Sequence, residues 1–149
     1  MKVRVLVQML FLILFATALV GCGGDTPRSS AAASSGGVAW ERELGAALGR
    51  AHKEKKIVMV DFYADWCGWC KRLDKNTFSD ARVQQALNRL VPLKLNAEKE
   101  GRSEAQRYRV EGFPTIVFVD AKGNEVGRIG GYMDAGPFLA ELEDILRKS

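Results

Sequence analysis

Hydrophobic and polar positions follow several distinct rhythms along this chain. Residues 5–20 form an apolar run broken only by Gln8 and Thr17, shorter than the roughly 20 residues that span a bilayer comfortably. Residues 23–38 are mostly Gly, Ser, Ala and Thr, with single charges and one proline, and offer nothing that can bury a core. Helical spacing then takes over. Trp40, Leu44, Ala47, Leu48 and Ala51 share a face and predict a helix over 40–55, with Lys53, Lys55 and Lys56 near the end where the dipole favours cations. The continuous apolar stretch 57–63 predicts a strand, and a helix should begin near Cys67. Ser79 or Asp80 caps a further helix with Val83, Ala86, Leu87 and Leu90 along one stripe. Residues 91–96 read as a second strand. A short helix should open at Ser103, whose spacing to Gln106 matches a capping box. Residues 116–119 and 125–130, joined by the turn chemistry of 120–124, predict a hairpin. Asp134 caps a last helix buried through Phe138, Leu139, Leu142, Ile145 and Leu146. This succession predicts an α/β fold with a central mixed sheet flanked by helices, in a single domain over residues 39–149.

The leading segment carries its own message. A basic start at Lys2 and Arg4, the apolar run, and then Leu19-Val20-Gly21-Cys22 resemble a secretory signal ending in the lipobox of bacterial lipoproteins. The resemblance implies a signal peptide over 1–21, cleavage after Gly21, a lipid on Cys22 and a flexible tether over 22–38. An uncleaved anchor helix is the alternative. Either way the folded part faces an extracytoplasmic space, tethered to a membrane. It is the periplasmic face if the cell has two membranes, with Gly23 in place of aspartate favouring the outer one. Loss of Lys2 and Arg4 lowers the formal charge from +4 to +2. That balance, spread along the chain, argues against nucleic acid as a partner.

Cys67 and Cys70 stand two residues apart after the predicted central strand. A cysteine at a helix N-terminus meets unpaired N–H groups and the positive dipole end, which favour thiolate over thiol. A structural zinc site needs about four N or S ligands, and the chain has three cysteines and one histidine in all. Covalent haem attachment needs histidine where Lys71 stands. A purely structural disulfide closing so short a loop gains little chain entropy. Thiol–disulfide exchange is therefore favoured over an inert structural staple, which stays the alternative reading of the pair, and it needs neither metal nor cofactor. Asp61 is the single charge in an apolar strand, a costly burial unless it has a partner or a task; a solvent-facing place at a sheet edge is the other reading. Asp74, four residues after Cys70, shares its helix face and either tunes the pair or is simply solvated. His52 reads as a surface residue.

From Trp40 to Arg147 the chain resembles the thioredoxin-fold family. The resemblance rests on 60–71 (Val-Asp-Phe-Tyr-Ala-Asp-Trp-Cys-Gly-Trp-Cys-Lys), Lys94-Leu95-Asn96, Gly112-Phe113-Pro114-Thr115 and Gly130. Ala64-Asp65-Trp66-Cys67 and 76–80 are most similar to the C-terminal domain of the disulfide reductase DsbD and related thioredoxin-like lipoproteins. It implies that Cys67 attacks, that Cys70 resolves and is the less exposed of the two, and that Asp61 serves as base with Lys94 as its partner. It also implies a cis bond before Pro114, and a substrate groove lined by Trp66, Trp69, Phe113, Pro114 and Thr115, with Tyr132 as a further rim candidate. Gly68-Trp69 stands where thioredoxin has Gly-Pro, and Lys75 where it has a kinking proline, so a straighter, shorter active-site helix ending near Asn76 is expected. The expected activity is reduction of protein disulfides, with electrons from a membrane donor of DsbD type. A disulfide oxidase or isomerase on the same fold, and a non-catalytic adaptor, are the alternatives.

Overall fold

The computed structural model describes residues 37–149, so the signal, Cys22 and most of the tether lie outside the described residues. Strand β1 (Val58–Tyr63) occupies the interior of a four-stranded sheet ordered β2-β1-β3-β4, with β2 at Val91–Asn96, β3 at Thr115–Val119 and β4 at Glu125–Gly130. β1 runs parallel to β2 and antiparallel to β3, and β3 and β4 form the expected hairpin. The helices are α1 (Leu44–Glu54), α2 (Gly68–Asn76), α3 (Ala81–Leu87), α4 (Arg102–Arg107) and α5 (Ala135–Lys148).

Alternation along β1 builds two cores. Val58, Val60 and Phe62 face one side with Leu93 and Leu95 of β2, where Leu44, Ala47 and Ala51 of α1 and Ala105 of α4 cover them. Met59 faces the other side with Ile116, Phe118 and Ile129, against Leu73 of α2, Val83 and Leu87 of α3, and Phe138, Leu142 and Ile145 of α5. Each fully buried large apolar side chain contributes about 1.5–3 kcal/mol of transfer free energy. Asp61 and Tyr63 belong by alternation to the second side, the side on which α2 lies. Helix α5 approaches β4 so closely that a Cβ on Gly127 would sit 2.7 Å from Ile145.

Two local expectations are corrected. The first helix begins at Leu44, capped by the Glu43 carboxylate, which accepts the N–H groups of Gly45 and Ala46 at 2.9 and 2.8 Å. Trp40 is therefore not on its face. It packs with the second core, 5.1 Å from Phe78, while Glu41 bridges to Leu93 at the β2 edge. There the Glu41 N–H donates to Pro92 O (2.8 Å) and Lys94 N–H to Glu41 O (3.1 Å). Ser103 lies inside α4, which starts after Gly101, and its hydroxyl donates to adjacent Glu104 rather than closing a capping box. Asp80 caps α3. Asp134 occupies the N-cap position of α5, with its carboxylate engaged by the Tyr132 hydroxyl instead of the helix. No helix among the described residues is long and apolar enough to cross a membrane.

Candidate active site

Past Tyr63 the chain turns through 64–66, with the Cys67 N–H donating to Ala64 O at 3.0 Å, and enters α2. Cys67 is its N-cap, extended at φ −71° and ψ 103°, and its Sγ accepts the Cys70 N–H at 3.0 Å. The same sulfur is bonded to that of Cys70, the Cα atoms lying 5.3 Å apart. The first sulfur thus sits among the helix's unpaired donors, where negative charge is favoured. Both cysteines are equally sheltered at 3% exposure, packed with Ala64 and against Tyr63 and Phe113. The expected difference in exposure is absent in the closed disulfide. Helix α2 ends at Asn76, as Lys75 in place of proline suggested.

The Phe113-Pro114 bond is cis, and Pro114 O accepts the Gly131 N–H at 2.9 Å. Thr115 pairs with Phe62 and Gly130 in the sheet and is buried, with its hydroxyl donating to Gly112 O at 2.7 Å. Its side chain therefore ties the loop down from within rather than lining a surface.

Asp61 is fully buried on the interior strand, so the edge-strand reading is overturned. Register places it opposite Lys94, whose ammonium donates to Asp61 Oδ2 at 2.8 Å and also pairs with Asp74. Among the described residues Asp61 Oδ1 has no hydrogen-bond partner. Burial holds the Asp61 carboxyl above the usual carboxylate range, against the opposing pull of Lys94. Burial alone would lower Lys94, but the two carboxylates outweigh it and hold the ammonium above its ordinary value. Trp40 and Tyr63 (both 5.2 Å) and Phe78 (5.7 Å) surround that ammonium with ring faces. Asp74 is about half exposed, so the chain of acid, base and acid runs from the interior outward.

Two tryptophans flank the disulfide. Trp66, 68% exposed, donates through Nε1 to both Glu98 oxygens at 3.1 and 3.0 Å, its ring 5.9 Å from Phe113. Trp69, 55% exposed, lies 5.5 Å from Tyr132, with the Arg72 guanidinium over both rings. Glu98 and Arg72 escaped the sequence reading. Glu98 reaches Trp66 only because β2 lies beside β1, a relation with no local signal, whereas Arg72 was legible as a residue on the cysteine helix. His52 is exposed. Among the described residues no group of acidic, cysteine or histidine side chains is placed to hold a metal.

A sulfur pair on the first turn of a helix, fed by the central strand of a mixed sheet and faced by a cis-proline loop, defines the class of thioredoxin-fold proteins with a redox-capable disulfide. A family model described as a thioredoxin-like domain matches residues 44–146, and the chain belongs to that family. Over 107 residues it is 47% identical to the thiol:disulfide interchange protein DsbD of Salmonella paratyphi A, an alignment taking in 68% of this chain and 18% of that protein. A thioredoxin from Thermus thermophilus superposes with a TM-score of 0.66 at 34% identity, covering 73% of this chain and 87% of that one. The oxidised DsbD C-terminal domain of Neisseria meningitidis gives 0.59 at 26% identity, covering 74% of this chain and all of that one. The resemblance expected from 64–67 and 76–80 is met.

Proposed function

We infer that this protein is an extracytoplasmic, membrane-tethered thiol–disulfide oxidoreductase that reduces disulfides in other proteins. The observation that carries the reading is the Cys67–Cys70 disulfide at the start of α2, with Cys67 Sγ among the helix's N–H donors. In the reduced protein the Cys67 thiolate attacks a substrate disulfide, forming a mixed disulfide and releasing one substrate thiolate. Cys70, relieved of its proton, attacks Cys67 Sγ; the Cys67–Cys70 bond closes and the second substrate thiolate leaves. Two electrons pass from the pair to the substrate. Asp61 serves as proton acceptor for Cys70, its basicity raised by burial, and Lys94 and Asp74 lead from it toward solvent. Trp66, Trp69, Phe113 and Pro114 border the substrate segment. Reduction in turn needs a thiol donor at the membrane, and the likeness to DsbD supports a donor of that type. Lipid on Cys22 provides the tether.

Replacing Cys70 with serine tests the chemistry, because the mixed disulfide then cannot resolve. Partners linked covalently through Cys67 should accumulate in cells, and binding that persists with no covalent link would favour an adaptor instead. Equilibration against glutathione separates reductase from oxidase. A potential near those of the strong oxidants, at about −120 mV, would overturn the reductive direction. Cys22→Ser should give a soluble or an unprocessed form in place of the lipidated one.

A further inference from the structure

Arg72 lies two residues beyond Cys70, with its guanidinium 5.4 Å from the Trp69 ring centre and 5.3 Å from that of Tyr132. The two rings are tilted by 38°, and Tyr132 is held in place from behind. Tyr132 accepts from Asn76 Nδ2 at 3.3 Å, donates to Asp134, and leaves β4 through Gly131, whose φ of +82° lets the chain turn there. A guanidinium resting on ring faces keeps its in-plane N–H donors free at the edges, in the fork that matches a carboxylate. Among the described residues the Arg72 guanidinium meets no hydrogen-bond acceptor and no acid, and the Lys75 ammonium one turn on meets none either. The opposite flank is committed: Glu98 binds Trp66, and Asp65 binds Lys99 and Asn96. Lys71 acts on Asp65 on that same flank, so the cation held on ring faces with its donors unspent is Arg72, on the Trp69 side.

The geometry points to Arg72 as a specificity-determining residue that receives an Asp or Glu carboxylate next to the substrate's cysteine. The preferred substrates are then protein disulfides with acidic flanks. This deepens the redox reading of Cys67 and rests on it.

The test uses the full chain in detergent with Cys22→Ser and Cys70→Ser, which leaves Cys67 as the sole thiol of the three cysteines. Its probes are three short peptides, identical except for Asp, Ser or Lys on both sides of one cysteine, each activated as a disulfide with 2-thiopyridine. The Cys67 thiolate attacks the peptide sulfur, the Cys67–peptide bond forms, the peptide–pyridyl bond breaks, and 2-thiopyridone is released and read by absorbance. At low ionic strength the Asp peptide should react about three- to five-fold faster than the Ser peptide, as one exposed ion pair allows. The Lys peptide should be slowest. The Asp-to-Ser ratio should fall to about one with Arg72→Ala, and Arg72→Lys should retain only part of it, since lysine keeps the charge but loses the stacked fork. A ratio near one in the unsubstituted Arg72 background, or a ratio undiminished by either substitution, overturns the assignment while leaving the redox reading intact. Failure of all three peptides to react with Cys67 would bring down both.

Discussion

Replacing Asp61 with asparagine should stabilise the oxidised protein at pH 8 and leave it unchanged at pH 4. The carboxylate is fully buried, one oxygen meets Lys94 at 2.8 Å, and the other has no hydrogen-bond partner among the described residues. Burial holds its pKa above the ordinary 3.8, so the folded protein keeps a proton that the unfolded chain has already released. Stability from this position is therefore greatest below the unfolded value and falls as pH climbs through the folded one. Asparagine does not titrate and mimics the protonated acid. It leaves one buried polar atom unpaired, as aspartate does, so that cost cancels, and Lys94 keeps Asp74 as a partner. Replacing a whole buried ion pair with well-packed apolar groups is often neutral or stabilising by about 1–4 kcal/mol. Here only the acid is neutralised and Lys94 stays paired with Asp74, so the lower part of that range applies. A gain of about 2 kcal/mol corresponds to roughly 8 °C in Tm for a domain of about this size. Thermal unfolding followed by circular dichroism between pH 4 and 8 checks it. An equal difference at both ends of that range, or a variant less stable at pH 8, would refute the reasoning.

The opposite experiment should give the opposite sign: Lys94→Met strands the Asp61 charge, costs about 3–5 kcal/mol at pH 7.5, and should recover as acid protonates the carboxyl, as urea midpoints at pH 7.5 and 4.5 would show. Thr77, fully buried, donates its hydroxyl to Met133 O at 2.5 Å and ties the end of α2 to the segment before α5. Thr77→Val should cost about 1–2 kcal/mol in urea unfolding with little change in m-value. Gly127→Ala should force the new Cβ onto Ile145 and lower stability by about 1–3 kcal/mol, read as a drop in Tm.

Strand and helix order were legible because each carried its own period: the apolar run at β1, the hairpin turn at 120–124, and the α5 stripe through Phe138, Leu142 and Ile145. Cys67, Cys70 and Asp61 were legible because spacing or a lone charge marked them, whereas Lys94 and Pro114 were singled out only through the thioredoxin-fold resemblance. Trp40 misled because an apolar residue four before Leu44 fits a helical face. Its actual position is decided by pairing of Glu41 with β2 and by Phe78, both far along the chain. Ser103 misled because a serine three residues before glutamine looks alike at an N-cap and inside a helix. The Trp66–Glu98 and Arg72–Tyr132 contacts depend on the sheet order and on the return of the chain after β4, which no window of neighbouring residues encodes.

Pro92 has a bearing on how copies of this protein coexist. Its carbonyl points outward from β2 to Glu41, so the amide hydrogen that proline lacks is missing from that same outer rim. The rim can offer a neighbouring chain only an interrupted row of donors, and Glu41 already occupies part of it. Molecules crowded side by side are thereby denied a long zipper on this flank, a built-in restraint on fibril-like association.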